Sequence, residues 1–343
     1  MVNDIKKIGD DYISNCTFVK TVLMLCVVLG HSVNFWKGNW FIVVDPIYQS
    51  KSLALISDIV NSFHIYAFVI VSGYVYAFLR IQKGKYDSFI LFIQNKTKRL
   101  LVPFIFICAI WVCPIGAYLY KYSAQECIQK YVLGTSPNQL WFLLMLFWCF
   151  VFVWPLTNIL KKHTILSFII VGLFYITGVV GSHFLPNYFS IWTGCEYLLF
   201  FWIGFQVFRY RRVFSSIPIV VWLIFYAVIF ILERIVNLPS AVTSVLQILV
   251  HIVGALMAFF VLQYIASKVK WEKSKLFTLL SENSMPIYLV HQQFIYFLIL
   301  WLNGKVTPFV NASINFIIAI MLSFIFSRFM LQFKLTRFLI GEK

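Results

Sequence analysis

Lys20 and His31 stand eleven residues apart in a run from Thr17 onward that is otherwise almost wholly apolar. A polar or ionisable side chain within a bilayer costs on the order of 3 kcal/mol by insertion scales, which makes each one inside a membrane span a default functional candidate. At about 100° and 1.5 Å per residue, this spacing puts both side chains within roughly 20° of one helix face and about 16 Å apart along the axis. Taken singly, Lys20 snorkelling to the headgroups and His31 satisfying a buried hydrogen bond would account for them. Their common face points instead to one lined pathway. Histidine titrates near neutrality, so it can accept a hydroxyl proton and return it to a leaving group, as acyl transfer to an alcohol demands.

Other polar residues recur in the apolar runs. The second holds Asn61-Ser62-Phe63-His64 and then Ser72-Gly73-Tyr74. His64 is a candidate second polar group of the cavity, and Ser72 with Gly73 serves equally well as a small patch for close helix contact. Asp58 reads as solvated or paired. Leu140-Trp141-Phe142 opens the fourth run, Glu196 lies in the sixth and His251 in the eighth. Ser284-Met285-Pro286-Ile287-Tyr288-Leu289-Val290-His291 opens the ninth, adding Tyr288 and His291. Glu196 and Arg328 carry opposite charges that an intramembrane pair could join. Before the third run, Asn95-Lys96-Thr97-Lys98-Arg99 places Lys96 and Arg99 at i and i+3, side by side if helical. That pair suits phosphate groups but also suits an ordinary cytoplasmic charge cluster.

The elements that position these groups follow from composition. In 343 residues, 61% are hydrophobic and only 12% charged, which excludes a soluble globular class. Mostly apolar runs, each about long enough to cross a bilayer as helix, are expected at 17–36, 53–79, 100–120, 138–159, 164–181, 188–208, 214–232, 241–267, 284–302 and 307–331. The fold expected is all-α: a polytopic membrane helix bundle of about ten transmembrane helices forming a single domain over 1–343. The run at 164–181 is the shortest, bounded by Lys161-Lys162-His163 and by a turn from Gly181 to Pro186.

The net charge of +16 does not mark a nucleic-acid binder, because the basic residues sit in short loops between apolar runs. With the N-terminus inside, 20 of the 28 Lys and Arg fall in cytoplasmic segments and six in outer loops. The positive-inside rule therefore expects both termini in the cytosol. Lys6 and Lys7, followed by Asp10 and Asp11 and then a full-length span without a small-residue cleavage site, lead us to expect a signal anchor. Seven cysteines, an odd number mostly within or beside the spans, suggest neither a disulfide framework nor a metal cluster.

In their order and spacing these residues resemble the acyltransferase-three family of ten-helix membrane acyltransferases. The family's basic residue, ten residues and a histidine in helix one is matched by Lys20 and His31. Phe63-His64 with Ser72-Gly73-Tyr74 resembles its second-helix signature, Leu140-Trp141-Phe142 its fourth-helix one, and Ile287-Tyr288-Leu289 with His291 its late one. Lys20 stands where the family usually has Arg, Thr17 where it usually has Asp, and Lys96-x-x-Arg99 where it has Arg-x-x-Arg. Lysine keeps the charge without the bidentate fork. Some members add an extracytoplasmic esterase-like domain, and these 343 residues lead us to expect none.

The resemblance implies an O-acyltransferase, most simply an O-acetyltransferase, in the cell inner membrane. It would take acetyl-CoA from the cytosol and modify a hydroxyl of a surface polysaccharide or its lipid-linked precursor. On this reading Lys96 and Arg99 bind the CoA phosphates, His31 is base or transient acyl carrier, Lys20 orients the donor, and no metal takes part. The partners are the bilayer, the acyl-CoA and the glycan, with no nucleic acid. A transporter or flippase is the rival, but that class favours inverted repeats and matching Gly/Pro-broken spans, and neither is apparent in the sequence.

Overall fold

The computed structural model describes residues 2–38, 40–41, 43–236 and 239–342, the side chains of 2–14 and 241 excepted. Lys6, Lys7, Asp10 and Asp11, on which the signal-anchor expectation rests, are therefore outside the described side chains. The described residues contain no strand. Among the described residues nine helical segments are long and apolar enough to cross a membrane: α1 (Asn15–Lys37), α2 (Lys51–Gln82), α3 (Phe89–Tyr120), α4 (Asn138–Lys162), α5 (Thr164–Phe184), α6 (Tyr188–Arg209), α8 (Val242–Lys268), α9 (Ser284–Leu302) and α10 (Pro308–Met330). Between α6 and α8 lies α7 (Ile219–Ile235), an apolar helix of 17 residues, at the lower limit of about 17–25 residues for a span. The protein is a polytopic helical membrane protein.

Two boundaries differ from the sequence expectation for local reasons. The shortest apolar helix is α7 and not α5, which runs to 21 residues. Pro218 sits at the N-cap of α7 in extended geometry, so the helix cannot take in the residues from 214 that hydropathy alone would give it. Segment α3 starts at Phe89, so Lys96 and Arg99 lie inside a continuous helical stretch. It contains two π-turns, Thr97–Leu101 and Cys108–Val112. Each is followed two residues later by a proline, Pro103 and Pro114. A proline supplies no N–H to the carbonyl four residues back and its ring crowds that carbonyl, and a wider turn absorbs the misfit.

Chain contacts divide the molecule into two units. The first comprises Met1–Cys26, Ile59–Lys85 and Phe200–Ser281, the second Val27–Asp58, Tyr86–Leu199 and Glu282–Lys343. In the first unit α2 and α6 meet backbone to backbone. A Cβ on Gly73 would lie 2.0 Å from the Phe201 carbonyl oxygen, and one on Gly204 would lie 2.0 Å from that of Ile70. The small patch read at Ser72-Gly73 is thus a close-contact seam, of the kind that drives helix association where lipid removes the hydrophobic incentive. Tyr226, Ile229 and Phe230 of α7 pack with Val250 and Val253 of α8. Phe18, Ala266 and Trp271 form a second apolar cluster.

In the second unit α9 and α10 pack along a polar seam. Ser327 of α10 donates across it to Asn283, the residue that precedes α9, at 2.6 Å, and within α10 Asn315 donates to Asn311 at 2.9 Å. Trp111 of α3 donates through Nε1 to the Val290 carbonyl of α9 at 3.2 Å. Asp58 pairs with Lys37 at 2.6 Å, as its place near a span end suggested. By contrast Ile165, Phe168, Leu173 and Ile176 of α5 are all exposed. Such an apolar face would be an aggregation liability in water, and lipid is the environment that suits it.

Candidate active site

His31 and His291, both in the second unit, meet directly. His31 Nδ1 and His291 Nε2 are 3.0 Å apart, and the two rings lie at 5.0 Å with 18° between their planes. His291 is fully buried on α9, and its Nδ1 faces two backbone carbonyls, Tyr288 at 2.8 Å and Ile287 at 3.2 Å. Carbonyl oxygens only accept, so the proton of neutral His291 belongs on Nδ1 and its lone pair on Nε2. That lone pair takes the Nδ1–H of His31, which puts the lone pair of His31 on Nε2. The tautomer of the outer ring is thereby set by the main chain of α9 through the inner ring. In this tautomer Nε2 is the basic nitrogen of His31, and an imidazolium formed there keeps its bond to His291.

A second network fixes the turn of α9 that carries His291. Gln139, in the 3₁₀ turn Asn138–Leu140 at the start of α4, donates through Nε2 to the Leu289 carbonyl and to Gln293 Oε1, each at 2.8 Å. Gln293 returns a bond to Gln139 Oε1 at 3.1 Å, and the Tyr288 hydroxyl donates to the Gln139 carbonyl. Aromatic rings wall the neighbourhood. Trp40 lies 5.5 Å from the His31 ring and 5.2 Å from Tyr296, and Tyr296 stacks on Phe41 at 4.5 Å. Gln292 donates to the Tyr296 hydroxyl.

Sequence reasoning assigned no role to Gln139, Gln293, Trp40 or Tyr296. A signal was present, since Gln292 and Gln293 directly follow His291 within a span, and two adjacent amides there are costly unless they are paired. Trp40 and Tyr296 carry no such mark in the sequence, where aromatic residues are abundant.

The remaining candidates are dispersed. Lys20 shares a helix with His31 but belongs to the first unit, half-buried and within electrostatic range of Cys16, whose thiol accepts from Gln263 at 3.4 Å. Also in that unit, His64 is buried with Nδ1 on the Val60 carbonyl at 2.7 Å, and Ser72 donates back to Phe68 at 2.9 Å. His251 bonds the Ser62 carbonyl at 3.0 Å and stacks on Tyr66 at 4.1 Å.

In the second unit the Lys96 ammonium lies 3.7 Å from the Phe150 ring centroid, with the Tyr86 and Phe92 rings farther off at 5.4 and 5.3 Å. It sits in a three-ring cation–π box. Arg99 is exposed, with Tyr86 and Glu342 in its field. Burial raises the Glu342 carboxyl above the ordinary carboxylate range, and Arg99 opposes that rise. The π-turn that begins at Thr97 widens the helix where side-by-side placement of Lys96 and Arg99 was expected. Glu196 accepts from Ser182 at 3.2 Å and makes no pair with Arg328. Trp141 packs edge-on against Tyr197 at 5.5 Å. Among the described residues no group of three or more His, Cys, Asp or Glu is placed to hold a metal ion.

The family model described as an acyltransferase domain matches residues 14–328, essentially the whole chain. The chain belongs to this acyltransferase-three family. No curated protein and no solved structure matches it. The acyltransferase domain thus spans α1 to α10, and the histidine pair joins its first and ninth helices.

Proposed function

We propose that this membrane acyltransferase moves an acetyl group from acetyl-CoA to a hydroxyl of a surface glycan or its lipid-linked precursor, with His31 as the general base. The observation that carries the reading is the His31–His291 bond anchored on two α9 carbonyls, because it presents Nε2 of His31 as the basic nitrogen. In the reaction the acceptor hydroxyl gives its proton to His31 Nε2 as its oxygen attacks the thioester carbonyl. The carbon–oxygen bond forms, the carbon–sulfur bond breaks, and the imidazolium returns the proton to the leaving thiolate.

Exposed Arg99 suits a CoA phosphate, and Lys96, drawn into its aromatic box, contributes less directly. Lys20 supplies positive charge on the helix that carries the base. The positive-inside pattern supports a cytosolic position for Arg99, the side on which acyl-CoA would be available.

The test supplies labelled acetyl-CoA to membranes containing the protein and follows label into glycan. Wild type transfers label, and His31→Gln, at equal membrane abundance, loses about 10²- to 10⁴-fold of the rate. Near-normal transfer by His31→Gln would remove the base from the mechanism. No transfer by wild type, with glycan crossing the membrane instead, would favour a carrier.

A further inference from the structure

A pocket of about 210 Å³ opens in the second unit between the loop that precedes α4 and the start of α6. Ser136, Asn138, Asn187, Ser190 and Thr193 give it hydroxyls and amides, Trp141 gives it an aromatic surface, and none of its lining residues is charged. The two loops are tied before any ligand arrives. Phe189 donates from its backbone to the Leu133 carbonyl at 2.7 Å, and Trp148 donates through Nε1 to the Phe189 carbonyl at 2.9 Å. Asn187 bonds Thr193 at 2.7 Å and accepts from the Trp192 backbone at 3.0 Å. Gly134 has φ +71°, which L side chains rarely adopt, and a Cβ there would crowd Leu144 at 2.6 Å and the Phe189 Cα at 3.2 Å. Asn138, Phe189 and Ser190 all have positive φ, at 47°, 51° and 53°. Left-handed backbone at three non-glycine residues is held only where surrounding contacts over-determine it.

We propose that this pocket is a subsite for one neutral sugar ring of the acyl acceptor. Its chemistry selects the class. Convergent hydroxyl and amide groups both donate and accept, matching a polyol, while the indole offers an apolar face to ring C–H groups. A phosphate or carboxylate would find no cation among the lining residues. The volume is below the about 300–1,000 Å³ of drug-sized ligand sites, which suits a single ring. Its position ties it to the chemistry: Asn138 and Trp141 line it, while Gln139 between them grips the turn of α9 that carries His291. The assignment of the ring to an acceptor rests on the acyltransferase reading above. The presence of a sugar-binding pocket does not.

The experiment uses full-length protein in nanodiscs and saturation-transfer-difference NMR with methyl glycosides of glucose, galactose, mannose and N-acetylglucosamine. Glucose 6-phosphate and 1-butanol are the charged and apolar comparators. Exposed Ser136→Trp fills the pocket mouth from its rim, and Trp141→Ala removes the aromatic face. At least one glycoside should give signal with wild type and with His31→Gln and lose it with Ser136→Trp and Trp141→Ala, while both comparators stay silent. Glycoside signal that survives Ser136→Trp, absence of signal from every glycoside, or a stronger signal from glucose 6-phosphate would each overturn the proposal. Labelled acetyl transfer measured on the same samples separates the two readings. Transfer untouched by Ser136→Trp defeats the pocket alone, and pocket-dependent binding without any transfer defeats the acyltransferase reading alone.

Discussion

His31 and His291 are 260 residues apart in the chain, yet their ring nitrogens lie at hydrogen-bond distance. His291 acts in this arrangement as a positioning residue, since it touches the base and sets its tautomer. Its replacements should therefore grade by what they return to His31 Nδ1–H. His291→Gln keeps an accepting oxygen, while His291→Leu leaves that N–H without its acceptor, at a cost of about 1.5–3 kcal/mol for a bond to a group that becomes charged. We expect His291→Leu to lower kcat by roughly 10- to 100-fold with KM for acetyl-CoA unchanged. His291→Gln should recover much of that loss at equal abundance. Equal loss in both, or a change in KM alone, would mean that the ring only fills space. His64→Gln, in the other unit, should retain activity.

Lys96 and Arg99 make a second contrast at this scale, because one sits among rings and the other is exposed. Arg99→Ala should raise KM for acetyl-CoA several-fold with kcat largely kept, since phosphate contacts bind substrate and transition state alike. Lys96→Ala should raise KM less and lower the melting temperature more, because it empties a cation–π box. Initial rates over a range of acetyl-CoA concentrations and a thermal melt of each variant check both expectations, and the reverse order would return Lys96 to the donor site.

Helices α2 and α6 meet where neither Gly73 nor Gly204 leaves room for a methyl group. Gly73→Ala and Gly204→Ala must push two backbones apart, and over-packing of this kind typically costs about 1–3 kcal/mol. Gly172, with open space around it, is the matched control, and alanine there should be neutral or slightly stabilising. Thermal melts of the detergent-solubilised variants decide this, and an unchanged midpoint for Gly73→Ala would contradict the seam. The sequence revealed such elements well because hydropathy over about 20 residues is a strong signal. It placed α9 at the observed limits and offered close helix contact as one of two equal readings of Ser72-Gly73. What it could not reveal is which polar residues meet. Glu196 and Arg328 have complementary charges and do not pair, whereas Gln139 and Gln293, separated by 154 residues and unremarked in the sequence, form a reciprocal amide pair. Helix periodicity fixes the face of a residue, and only packing fixes its partner.

For the whole molecule, charge and hydropathy combine into one arrangement of loops about the bilayer. The stretch from Arg80 to Arg99, across the end of α2 and the start of α3, carries the densest group of basic residues, while Lys305 stands nearly alone between α9 and α10. Holding the N-terminus inside brings 20 of the 28 basic residues to the cytosol, and an odd number of spans would scatter that bias. This gives α7 its importance: at 17 residues it is the shortest of the ten helices, and without it every later loop changes sides. Single cysteines can read the outcome, because five of the seven native ones are buried and the other two only partly exposed. Lys85 and Lys305 are both exposed and flank the long stretch that contains α7. With α7 crossing, Lys305→Cys reacts with an impermeant maleimide on intact cells, and Lys85→Cys reacts only after permeabilisation. If α7 lies in the interface instead, the segments after it invert, and Lys305→Cys is protected along with Lys85→Cys. That second pattern would overturn the ten-span topology, because it would move the C-terminal segment beside Arg99 to the opposite side of the membrane from the residue it adjoins. Reaction of Lys85→Cys on intact cells would reverse the orientation of the Arg80 to Arg99 stretch and take Arg99 away from the cytosolic acyl-CoA.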